Sequence, residues 1–161
     1  MAYLDNAATT AMLPEALEVM YREAANVGNA SSLHGAGRRA RRVVEESREK
    51  LAAAVGAKPQ EIIFTASGTE ANNLAIKGFF WSNPSKKTIV VSTIEHHAVL
   101  DPVEWLREHD GAKVIYAPVT PAGLIDLAAL KTIIKNNREE IALIAVMHSN
   151  NEVGTLQPIA E

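Results

Sequence analysis

A chain of 161 residues, 47% hydrophobic and 22% charged, has the length and composition of one globular domain with a core of its own. A net charge of −3 argues against non-specific nucleic-acid binding, and the absence of cysteine excludes disulfides and thiolate chemistry within these residues. Met1-Ala-Tyr-Leu-Asp reaches an acidic residue with no basic leader, and no run approaches the length of a membrane span, so a soluble cytoplasmic protein is expected.

Tyr3 to Thr10 (YLDNAATT) is made of small polar residues that suit an extended or turning segment. Pro14 then opens a helix through PEALEVMYREAAN, with Leu17, Met20, Tyr21 and Ala24 at helical spacing. Val27 to Gly35 (VGNASSLHG) is a loop by composition. A long helix over Ala36–Val55 follows, with Val43, Val44, Ser47, Leu51 and Val55 on one stripe and Gly56 as its stop. Its basic run GRRARR (Gly37 to Arg42) is balanced by EESREK and reads as a solvated helix face rather than a nucleic-acid patch.

Beyond Gly56 the periodicity alternates. EIIFTA (61–66) reads as a strand, Thr69–Trp81 as a helix, Thr88–Thr93 as a strand and AVLDPVEWLREH (98–109) as a helix, its proline tolerated in the first turn. KVIYAPV (113–119) is a strand, AGLIDLAALKTIIKN (122–136) a turn and helix, and IALIAVMHS (141–149) a strong apolar strand. This β-α-β-α-β-α-β order predicts an α/β fold with a mainly parallel sheet flanked by helices. The unbroken apolar runs in TIVVS and LIAVM predict strands covered on both faces. Glu161 reads as the first turn of a further helix, so the chain is expected to be part of a longer one.

Ligands of open α/β sheets gather beyond the carboxyl ends of the strands, and three polar clusters fall there. These are Ala66-Ser67-Gly68-Thr69-Glu70, Ile94-Glu95-His96-His97 and His148-Ser149-Asn150-Asn151-Glu152. Gly68 and Thr69 open a helix whose free N–H groups, positive dipole end and hydroxyl suit a phosphate. The alternative is that Ser67 or Thr69 only caps that helix. The Gly-Lys-Ser/Thr ending of a Walker loop is absent. His96, between strand and helix, suits stacking on a planar ring or proton transfer, against a plain polar helix start. His96 and His97 are adjacent and point apart, so at most one serves the site. A zinc site finds no support without cysteine or an HExxH pattern. Asn150 and Asn151 can hydrogen-bond a phenolic oxygen or a carboxylate, or simply form a turn.

Together YLDNAATT, GNASSLHGAGRRAR, FTASGTEANNLAIKG, EHHAVLD and HSNNEVGTLQPI resemble, in order and spacing, the N-terminal part of a cysteine desulfurase. These are class V aminotransferase-group enzymes with the fold-type-I pyridoxal-phosphate architecture. NNEVG and LHGAGRRAR lean toward the branch that supplies sulfur for iron–sulfur clusters and tRNA thiolation. The resemblance implies pyridoxal phosphate as cofactor, with Gly68 and Thr69 at its phosphate, His96 catalytic and stacked over its ring, and Asn151 near its phenolic oxygen and the substrate carboxylate. Asn6 to Thr10 and Asn29 to His34 match segments near the substrate entrance, and Ala30 stands where many relatives have proline. It further implies residues 1–12 as an N-terminal arm and 13–161 as the first part of the cofactor-binding large domain, ending early at 161. L-cysteine as substrate, a homodimer and a sulfur-acceptor protein such as an iron–sulfur scaffold are the implied partners, with no nucleic acid and no membrane.

The resemblance also implies parts this sequence lacks. The Schiff-base lysine belongs to a later Ser-x-His-Lys motif, which none of the eight lysines here matches, Lys77 included. The aspartate that pairs with the pyridine nitrogen and the sulfur-accepting cysteine also lie downstream. The chain alone is therefore expected to be inactive, to bind the cofactor weakly at most, and to associate through uncovered apolar surface. A selenocysteine lyase or small aminotransferase of the same class, or a non-enzymatic half-domain holding a phosphate ligand or a partner, remain as alternatives.

Overall fold

A computed structural model describes residues 2–161, which divide into two compact units with the boundary between Phe64 and Thr65. The first carries helix α1 (Pro14–Ala24), helix α2 (Gly35–Val55) and a 3₁₀ turn (Pro59–Glu61). Proline at the first position starts α1, where its missing N–H costs nothing. His34 caps α2, its Nδ1 accepting from the Gly37 N–H at 3.4 Å, and Gly56 ends the helix at φ 69°, a left-handed conformation that suits glycine. Arg38, Arg39, Arg41 and Arg42 are exposed, as a solvated face requires.

The apolar stripe of α2 is uncovered, in line with the expectation of exposed apolar surface. Val43, Val44, Leu51 and Val55 are all exposed, and among the apolar residues of this helix only Ala52 is buried. In α1 no residue is buried. Both hydrophobic clusters lie in residues 65–161, so the expectation of one core for the whole length gives way to a core in the second unit.

The strand expected over 61–66 is likewise absent. Ile62 is extended (φ −94°, ψ 123°), but no ladder partner lies beside this segment among the described residues. A strand exists only through its pairing. Here Arg48 takes over locally: its guanidinium donates to the Ile62 carbonyl and lies over the Phe64 ring, 4.9 Å from the centroid.

The second unit contains α3 (Gly68–Ser82), β1 (Thr88–Ser92), α4 (His97–His109), β2 (Lys113–Ala117), α5 (Leu127–Asn137) and β3 (Ile141–Ala145). The three strands form a parallel sheet in the order β2-β1-β3, the α/β arrangement expected. β1 is central and buried at every position. Its alternating side chains feed two cores. Ile89 and Val91 pack with Ile76 and Phe80 of α3 and Val103 and Leu106 of α4; Val90 packs on the other face with Ala117, Ile125 and the inner side of α5. β3, at the edge, is only half buried.

Two strands are shorter than their apolar runs. β2 stops at Ala117 because Pro118 has no N–H to give the ladder. β3 stops at Ala145, two residues before the Met147 N–H turns to the Glu95 carboxylate at 2.5 Å. In α4 the proline lies deeper than expected: Pro102 is the sixth helical residue, past the first turn, and is buried. Its ring forgoes the bond to the Ala98 carbonyl, and it borders a small hollow shared with Thr69, Asn73 and Lys77 of α3.

The order β2-β1-β3 means that the chain leaves β1 in one direction and returns on its other side. The crevice between the carboxyl ends of β1 and β3 is therefore the topological switch point, where open α/β sheets bind ligands.

Candidate active site at the carboxyl edge of the sheet

Three segments converge on that edge. α3 runs antiparallel to β1, joined to it by the short link 83–87, so its N-terminus at Gly68 lies at the strands' carboxyl ends. The turn 93–96 leaves β1 and enters α4. The exit loop 146–154 leaves β3.

At the first, Ser67 caps α3, its Oγ accepting from the Glu70 N–H at 3.1 Å, while Glu70 reaches back to the Ala66 N–H at 2.7 Å. The cap and the phosphate reading are therefore not exclusive: Ser67 takes the cap and leaves its neighbours free. The Gly68 and Thr69 N–H groups and the Thr69 hydroxyl meet no acceptor among the described residues. A methyl group built on Gly68 would meet nothing within 4 Å. Two free N–H groups, a hydroxyl and a helix dipole around open space fit a phosphate dianion.

At the second, His96 is the N-cap of α4, and its Nδ1 accepts from the Ala98 N–H at 3.0 Å. That bond places the neutral ring's proton on Nε2. His96 is exposed and forms the lip of a groove of about 630 Å³. The groove runs between Asn72, Ile76 and Phe79 of α3 and residues 142–147, with Glu95 beside His96. His97 turns the other way. Its Nδ1 lies 3.3 Å from Asp101, and it lines a separate hollow of about 200 Å³ with Thr69, Lys77 and Trp105. The two histidines do diverge, as their adjacency predicts.

At the third, Asn151 is exposed, its amide donating to Glu152 at 3.3 Å. The buried partner is Asn150. Its Nδ2 donates to the Ile94 carbonyl at 3.0 Å, and its Oδ1 accepts from the N–H groups of Glu152 at 2.9 Å and Val153 at 2.8 Å. Gln157 anchors the far end of the same motif, accepting from the Ile125 N–H at 2.8 Å and donating to the Gly123 carbonyl at 2.7 Å.

Gly68, Thr69, His96 and Asn151 thus share the carboxyl edge but not one enclosed cavity. Thr69 lines the smaller hollow, His96 the larger groove, and Asn151 neither. No lysine lines the His96 groove. The Lys77 ammonium sits over the Trp105 ring at 4.2 Å and that of Lys87 over Phe80 at 4.8 Å. Among the described residues no three His, Asp or Glu side chains gather as a metal site would need, and no helix is long and apolar enough to cross a membrane.

Glu95, Asn150 and Gln157 are the residues that sequence reasoning passed over as holders of the site. The available signal was a carboxylate placed three residues past a buried strand, where it must find a partner. Burial raises the Glu95 pKa above its ordinary 4.5, opposed by the Met147 N–H. The folded state then keeps this proton longer than the unfolded chain. Stability from this group is full below pH 4.5 and is lost as pH rises through the raised pKa. Glu95→Gln retains an oxygen for the Met147 N–H, so urea titrations across pH should show that downward slope flattened in the variant. An unchanged slope would mean that Glu95 ionises as freely folded as unfolded.

The aminotransferase class-V family profile matches residues 2–161. Over its whole length the chain is 51% identical to an IscS-like cysteine desulfurase of Mycobacterium tuberculosis, of which it covers 42%. Among solved structures, a NifS-like protein superposes with a TM-score of 0.89 at 40% identity, over 98% of this chain and 43% of that one. The structure described as SspA in complex with cysteine gives 0.88 at 35% identity, over 99% of this chain and 45% of that one. The chain therefore spans about two-fifths of the length of such relatives.

Proposed function

The chain belongs to the aminotransferase class-V family, and on that premise we propose that it is the N-terminal part of a pyridoxal-phosphate-dependent cysteine desulfurase. The whole enzyme would convert L-cysteine to L-alanine and leave the sulfur as a persulfide on a cysteine of its own. From there it would pass to an acceptor protein, for iron–sulfur clusters or tRNA thiolation, in the cytoplasm and as a homodimer. The observation that carries this reading is identity of about one half to a cysteine desulfurase along the entire chain, with a solved relative described with cysteine bound.

The residues present fit the cofactor. Gly68 and Thr69 would hold its phosphate with their free N–H groups and the Thr69 hydroxyl. His96 would cover one face of the ring and move a proton at Nε2, the nitrogen its helix-capping bond leaves free. The Asn151 amide would donate to an oxygen of the cofactor or substrate without adding charge. The apolar walls of the neighbouring groove, Ile76 and Phe79 among them, would limit water beside His96. When bound, the cofactor supplies the electron sink that the side chains cannot. Residues 1–161 supply neither a cysteine nor a lysine beside His96, so in this reading they bind and orient but do not complete the reaction. In the same reading, residues 1–12 form an arm and 13–161 the first part of the large domain.

The test is the full-length protein, loaded with pyridoxal phosphate and given L-cysteine and a thiol reductant. Alanine and sulfide should form in equal amounts. No alanine from cysteine overturns the proposal. Strong preference for L-selenocysteine, or transfer of the amino group to a keto acid, would instead identify another class V enzyme.

A further inference from the structure

We propose that Asn150 is the positioning residue that fixes His96 and Asn151 relative to one another. The proposal deepens the desulfurase reading and rests on it for its kinetic part. Asn150 is only 6% exposed, and both ends of its amide are spent. Nδ2 donates to the carbonyl of Ile94, two residues before His96, and also meets the Met147 sulfur at 3.1 Å. Oδ1 accepts from the N–H groups of Glu152 and Val153, closing the turn in which Asn151 sits. One planar group thus spans the switch point, gripping the β1–α4 turn with one end and the β3 exit loop with the other.

Glu95 supplies a second strap of opposite sense. In the first, a side chain of the exit loop binds backbone of the turn; in the second, the Glu95 side chain of the turn binds the Met147 N–H of the loop at 2.5 Å. His96 and Asn151 themselves are exposed. Packing does not hold them, so their orientation must come from the backbone that carries them. For His96 that backbone is held at Ile94 and Glu95 before it, and by the ring's own bond to the Ala98 N–H after it. Asn150 has no polar atom left for a ligand, which separates its role from that of Asn151.

The residue type follows from this double duty. A primary amide offers two donor hydrogens and an acceptor with two lone pairs on one short planar group, which matches the four bonds made here. Aspartate would keep the acceptor for Glu152 and Val153 but set an oxygen against the Ile94 carbonyl. Alanine would orphan two N–H groups and one carbonyl. The two substitutions therefore cut different bonds.

Full-length protein labelled with ¹⁵N-histidine provides the test. In the cofactor-free wild type, His96 should show the Nε2–H tautomer. In Asn150→Asp the tautomer should become averaged, and kcat for alanine formation should fall about ten- to a hundredfold with KM for cysteine nearly unchanged. Asn150→Ala should do the same and also weaken cofactor binding through Asn151. A wild-type His96 tautomer with unchanged kcat in Asn150→Asp overturns the proposal. So does a lower melting temperature with the tautomer and kcat intact, because that is a purely structural residue. Should the alanine variant not fold, the aspartate variant decides alone. If the wild type makes no alanine, the functional reading fails, while the tautomer still reports whether Asn150 holds His96.

Discussion

Phe80→Ala should destabilise the chain by about 3–5 kcal/mol, the usual cost of emptying a buried aromatic site. Phe80 is 1% exposed at the C-terminal end of α3 and packs among Ile76, Ile89, Val91, Val103 and Leu106. Removing its ring opens a void between the central strand and two helices at once, and helices so anchored cannot collapse freely into it. Its neighbour Phe79 is the control: 61% exposed, it borders the groove without belonging to either core cluster. Phe79→Ala should change stability by less than about 0.5 kcal/mol. The contrast is read from urea unfolding of residues 1–161, with the midpoint of Phe80→Ala far below that of the wild type. A domain of this kind has about 5–15 kcal/mol in total, so the Phe80 variant should lose about a fifth or more of its stability. Equal losses at both positions would mean that the face carrying Phe79 is covered in solution.

The same pair shows what could be read from the amino-acid order. Helix α3 was legible because Ser67, Gly68 and Glu70 write a start signal and the apolar residues that follow keep helical spacing. β1 was legible because five successive residues suit burial on both faces, and all five are buried. Covering was not legible. Val43, Val44, Leu51 and Val55 form a good stripe, yet all four are exposed, because periodicity identifies a face and not what lies against it. The apolar run at 61–66 failed for a related reason: side-chain pattern proposes a strand, but only a neighbouring backbone completes one. Gly68, Thr69, His96 and Asn151 could be singled out as unusual residues at element boundaries. The bonds from Glu95 to Met147 and from Asn150 to Ile94 join residues more than fifty positions apart. No local pattern encodes them.

His96 carries the second large effect, and two substitutions separate its possible duties. As N-cap of α4 it accepts the Ala98 N–H; as the proposed proton-transfer group it acts through Nε2. His96→Ala removes both. It should cost about 1 kcal/mol of stability for the lost cap. In the full-length enzyme it should also lower kcat by about 10²–10⁴, the range for a lost general acid–base group. His96→Asn restores an acceptor at a position where asparagine is among the best caps, but it provides no group that exchanges a proton near neutral pH. Its melting temperature should therefore return to the wild-type value while kcat stays low. Cofactor binding should survive in both variants, since the Gly68 and Thr69 donors are untouched, and the visible absorbance of the bound cofactor reports it. Recovery of kcat along with stability in His96→Asn would make His96 a helix cap and nothing more, and the proton would have to be moved by another residue.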